Sequence, residues 1–63
     1  MSYLKWKIEV IKLITSSSVS DVLKVEEIKC VLRDDGGYPE SYKDKDTPEE
    51  AWDAELDAIA SSV

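Results

Sequence analysis

One cysteine and no histidine in a chain of 63 residues rule out the usual staples of a small domain. A disulfide needs a second cysteine, and structural zinc needs clustered thiolates or imidazoles, so neither cross-link can form within the chain. A domain of this size buries roughly 60% of the surface its unfolded form exposes. Small scaffolds without covalent or metal cross-links draw instead on self-association or on a larger partner. The chain reads as one small domain, residues 1–63, held by apolar packing around very few elements.

Hydrophobic periodicity predicts what those elements are. Leu4, Trp6, Ile8 and Val10 alternate with Lys5, Lys7 and Glu9, a period of two that places the apolar set on one face of a strand over about residues 3 to 14. The alternation changes phase at Ile11 and Leu13, which reads as a bulge near Val10 or as a segment covered on both faces. Ser16-Ser17-Ser18-Val19-Ser20 reads as a loop. In residues 22–33 the apolar side chains Val22, Leu23, Val25, Ile28, Cys30, Val31 and Leu32 spread around the whole helical wheel and mix with charges. A strand is therefore preferred to a helix capped by Ser20, with Glu26-Glu27 as a bulge between two parities. Asp34-Asp35-Gly36-Gly37 is a turn signal, and a short edge strand over 38–43 can follow it, with Pro39 removing a ladder donor.

The C-terminal segment carries a different pattern. Thr47 can cap a helix, Pro48 suits its first position, and Glu50 stands where a capping box needs a carboxylate. A helix over about residues 48 to 60 follows, with Trp52, Leu56, Ile59 and Val63 in one apolar stripe. The expected fold is α+β, a small antiparallel sheet of two or three strands with this one amphipathic helix packed on a face.

Charge is unevenly distributed. Six basic residues stand against four acidic ones up to Arg33, or +2, while from Asp34 onward ten acids face only Lys43 and Lys45, or −8. Glu50, Asp53 and Asp57 recur at helical spacing along one face with no lysine or arginine in that helix, and Asp34, Asp35, Asp44 and Asp46 extend the acidic field. Such a surface points to a basic protein partner, and away from nucleic acid phosphates or an anionic membrane. The net charge of −6 likewise opposes a nucleic-acid role for the lysines of residues 5–29 with Trp6 or Tyr3 as stacking groups.

Catalytic chemistry has little to work with. Without histidine the serines lack their usual base, and Cys30 reads as a small buried hydrophobe. The acidic loops lack the ordered spacing and glycine of a calcium loop. No catalytic, metal or cofactor residues are expected. Lys5, Lys7, Glu9 and Lys12 interrupt any signal-like apolar start, and no apolar run approaches the roughly 20 residues of a membrane span. With one cysteine, a cytoplasmic location is expected.

Asp35-Gly36-Gly37-Tyr38 followed by Asp46-Thr47-Pro48-Glu49-Glu50-Ala51 resembles the strand-to-helix passage of HicB-type antitoxins, small proteins that neutralise an RNA-cleaving toxin. The resemblance covers about residues 34 to 59 and carries over no functional residue. The reading that fits the whole chain is a small acidic non-enzymatic regulator or inhibitor that docks a carboxylate-rich helix and loops on a basic protein, as inhibitors carried by viruses and mobile elements do. Two alternatives stand beside it. One is a DNA mimic that occupies the nucleic-acid channel of an enzyme; the other is a structural component that forms a homodimer through Ile11, Leu13 and Val31.

Overall fold

The computed structural model describes residues 2–61 and is helical throughout, with four helices: α1 (Tyr3–Ser16), α2 (Asp21–Leu32), α3 (Tyr38–Lys43) and α4 (Pro48–Ser61). The expected sheet is absent among the described residues. Strands over 3–14, 22–33 and 38–43 are each replaced by a helix, so the α+β class is corrected to all-α.

In α1 the correction has a simple geometric origin. Every second step of an alternating pattern is also an i+4 step, so two apolar rows on a helix can imitate a strand. Trp6 and Val10 continue to Ile14 as the buried row, whereas Leu4 and Ile8 are 67% and 44% exposed. The phase change at Ile11 and Leu13 is therefore no bulge. It is the three-and-four spacing of a helix face. Ser2 opens the helix by accepting from the Lys5 amide at 3.2 Å, and Ser17 closes it by donating from both its amide and its hydroxyl to the Ile14 carbonyl.

Helix α2 begins where Ser20 accepts from the Leu23 amide at 3.3 Å. Its apolar residues do surround the axis, but that pattern belongs here to a helix with two apolar faces. Val31 is fully buried, Ile28 and Cys30 pack half-buried against the core, Leu23 is half-buried nearer the start of the helix, and Val22, Val25 and Leu32 face outward. Leucine, lysine and glutamate also favour a helix over a strand. After Arg33 the chain reverses through Asp34 (φ 58°) and Gly36 (φ 70°); glycine adopts the second of these left-handed positions without steric cost. The expected turn is present, but it joins helices.

Pro39 lies in the first turn of α3, a position where its missing N–H costs nothing. The proline that suggested an edge strand serves a helix start equally well. Tyr38 opens α3, so the passage that resembles HicB-type antitoxins runs from helix to helix. The capping box of α4 has the geometry expected for it: the Thr47 amide donates to Glu50 Oε1 at 2.9 Å and the Glu50 amide donates to Thr47 Oγ1 at 3.2 Å.

Helix α1 packs against both α2 and α4, and α3 packs against α4. The core holds Trp6, Val10, Ile14, Val31, Tyr38, Ala51 and Trp52. Tyr3, Trp6 and Tyr42 form an aromatic cluster at its edge, with Tyr3 and Tyr42 ring centroids 4.7 Å apart. On α4, Trp52 is buried and Leu56 packs beside the core as the apolar stripe requires, whereas Val63 lies outside the described residues.

Candidate functional site

The strongest field comes from the outer face of α4. Burying Pro48, Ala51 and Trp52 on one side of the helix turns Glu49, Glu50, Asp53 and Asp57 to the other, where all four are exposed. The two glutamates stand in the first turn, where the helix dipole favours negative charge; Asp53 and Asp57 lie beyond that benefit. Asp53 and Asp57 border an open groove of about 550 Å³ whose remaining lining is Ala54, Leu56 and Ala60. Carboxylates beside an apolar floor can hold a lysine or arginine, with the cation at the rim and the aliphatic stem along the floor.

Ion pairing leaves this face untouched. The pairs among the described residues are Lys7–Asp34 at 3.1 Å, Lys12–Glu9 at 3.4 Å, and Lys29–Glu26 and Lys43–Glu40 at 4.0 Å, and none reaches α4. Glu50 is the most anchored of the four. Its hydrogen bonds with Thr47, chiefly from the backbone amide, hold its carboxyl below the ordinary carboxylate value.

No protein-family model, curated protein or solved structure matches this chain. The site is therefore defined by its own geometry.

The other acidic residues singled out in the sequence do not join the α4 face as one surface. Asp34 is a structural tie: its Oδ1 accepts from the Tyr3 hydroxyl at 2.7 Å and from Lys7 Nζ at 3.1 Å. Those bonds, Tyr3 first, depress its pKa. Asp35 is exposed in the same turn, its amide donating to the Cys30 carbonyl. Asp44 ends α3. Asp46 is half-buried and its carbonyl accepts from Trp6 Nε1 at 2.9 Å. Lys43 and Lys45 line a cleft with Asp46, Trp6 and Tyr42, so the field of Asp44 and Asp46 is offset locally.

Two features escaped the sequence reading. Glu49 belongs to the α4 face, a membership that follows from the same wheel once Trp52 is set inward. Glu27 is 9% exposed and accepts from the Tyr38 hydroxyl at 2.9 Å, the one charged side chain among the buried residues described. No sequence pattern marks that pair, because its members come from different helices.

Among the described residues, no group of three or more cysteine, aspartate or glutamate side chains converges as metal ligands would. Cys30 is a half-buried free thiol, and burial first, then the charges of Glu27, Asp35, Glu55 and Glu26, push its pKa up. It is a poor nucleophile in that state. No described helix is long and apolar enough to cross a membrane.

The homodimer surface expected from Ile11, Leu13 and Val31 also looks different in three dimensions. Val31 is fully buried inside one copy, and Ile11 and Leu13 pack against the core. The large apolar residues left exposed are Leu4, Ile8, Val22, Val25 and Leu32.

Proposed function

We propose that this chain is a non-enzymatic regulator or inhibitor that docks the carboxylate face of α4 on a basic surface of a protein partner in the cytosol. The observation that carries this reading is the set of four exposed carboxylates on α4, which no lysine or arginine pairs among the described residues. A lysine or arginine of the partner relieves their mutual repulsion, and the groove beside Asp53 and Asp57 gives its stem an apolar bed. The −8 charge of the C-terminal half steers a basic partner toward the chain, so association is fast at low salt and weakens as ionic strength rises. A protonated, half-buried thiol and the lack of histidine support a binding role over a catalytic one.

The test compares the chain with Asp53→Lys/Asp57→Lys. These positions are chosen over Glu50 because Glu50 also caps the helix, so its reversal would confound binding with folding. Affinity capture from the source cell at low salt, followed by titration of the purified partner, should show binding that falls with added salt and is lost in the double variant. Undiminished binding by a folded double variant removes the proposal.

A further inference from the structure

We infer that two copies of this chain pair through the outer face of the α1–α2 hairpin, an interaction separate from the α4 surface. The helices run antiparallel, since Tyr3 and Lys7 at the start of α1 reach Asp34 just beyond the end of α2. The two helices pack together, and Ile11 of α1 and Ile28 of α2 are half-buried against the core they share. Outside that core each helix carries an outward apolar row at three-and-four spacing. Leu4 and Ile8 form one, continued inward by half-buried Ile11, and Val25 and Leu32 form the other with half-buried Ile28 between them, while Val22 stands exposed one turn before Val25.

Exposure distinguishes these rows from ordinary scatter. Leu4 is 67%, Val22 75%, Val25 50% and Leu32 61% exposed. Isolated exposed hydrophobes need no explanation, but aligned rows do. Together they present on the order of 500 Å² of apolar surface, near the upper end for a single domain and the larger part of the roughly 800 Å² that each partner gives a stable interface. Spacing of three and four on both helices is also the pattern by which helices interlock with other helices at a shallow angle. Two such hairpins face to face make a four-helix layer.

The rim identifies the occupant as a second copy. Lys12 and Lys29 are paired with their own helix neighbours, Glu9 and Glu26. Lys5 and Arg33 add positive charge and Asp21 adds negative charge. An anionic membrane or a strongly acidic partner calls for a rim of one sign, whereas a mixed rim meets its own copy without large repulsion. The acidic α4 is no part of this face, so pairing does not require two −8 halves to meet. The pairing also extends the small core of one copy, the kind of supplement that a chain of this size without cross-links draws on.

Sedimentation equilibrium over a dilution series tests the inference. The chain should fall from dimer to monomer mass on dilution. Val25→Lys/Leu32→Lys should raise the dissociation constant at least tenfold while circular dichroism stays helical. Leu4→Glu/Ile8→Glu should do the same from the other helix and guards against a variant that fails to fold. Asp53→Lys/Asp57→Lys should leave the dimer intact, which separates this inference from the proposed α4 surface. A monomer at every concentration overturns the inference, and so does a dimer indifferent to both hairpin variants.

Discussion

Glu27 shows how much a single side chain can decide. A carboxylate among apolar neighbours is costly unless it is hydrogen-bonded, and here the donor is the hydroxyl of Tyr38, itself fully buried. Burial and that same bond raise the Tyr38 pKa, so the phenol stays protonated and keeps donating. Tyr38→Phe should therefore cost about 1–3 kcal/mol by stripping a buried acceptor of its donor, measurable as a lower denaturant midpoint. Tyr3 and Asp34 form a second, more exposed pair with consequences for pH. Asp34 is held below its ordinary 3.8 by Tyr3 and then Lys7; its contribution is whole above that pH and drains as pH falls through the depressed value. Tyr3 is pushed from 10.0 up to about 12 by burial first and Asp34 second; its contribution is whole below pH 10 and lost as pH climbs toward 12. Tyr3→Phe should thus flatten both flanks of a plot of unfolding midpoint against pH. A curve that keeps both flanks would show that the hydroxyl bond contributes nothing.

At the scale of the element, the sequence was most legible where the signal was local. The capping box of α4, which acts within three residues, could be read directly from Thr47-Pro48-Glu49-Glu50; Ser20 caps α2 over the same span, but the apolar pattern that follows it outweighed that signal in favour of a strand. Thr47→Ala should cost about 0.5–2 kcal/mol of stability, seen as a lower thermal midpoint. Legibility ended where a helix has two apolar faces. In α1 the inner row of Trp6, Val10 and Ile14 and the outer row of Leu4 and Ile8 together imitate alternation, and in α2 inner and outer rows erase the single stripe that would have identified a helix. The acidic face of α4 makes a prediction that opposes stability to binding. Asp57→Lys places a lysine four residues after Asp53 and near the C-terminal end of the dipole, so the helix should gain about 0.2–0.5 kcal/mol while the proposed partner is lost. A variant that is both less stable and still bound would contradict the account of this face.

Over the whole molecule, few residues carry the fold. Trp52 on α4 and Trp6 on α1 are 5% and 3% exposed, and these helices pack directly on each other. Trp52→Ala should cost about 3–5 kcal/mol, a large share of the stability a 63-residue chain can hold at roughly 0.05–0.15 kcal/mol per residue. Loss of the cooperative unfolding transition is the expected readout, and an unchanged midpoint would refute the docking of α4. The acidic excess acts at the same scale. Self-repulsion among the carboxylates of the C-terminal half weakens as the Debye length shrinks to about 8 Å at physiological ionic strength, so the thermal midpoint should rise from very low to physiological salt. The proposed contact of α4 with a basic partner should move the other way, weakening as salt rises.

What the sequence determined by itself was whatever depends on neighbours in the chain: the capped C-terminal helix and its carboxylate face, and the turn at Asp34 to Gly37. Tertiary structure alone decided whether residues 3–43 became strands or helices, because an apolar row at i+2 and two interleaved rows at i+4 share the same letters, and only packing partners distinguish them. It also decided which carboxylates stay free. Asp34 was drawn to Tyr3 and Lys7, and Glu27 to Tyr38, through contacts spanning 31, 27 and 11 residues. Such contacts arise only when distant helices meet, and no local pattern records them.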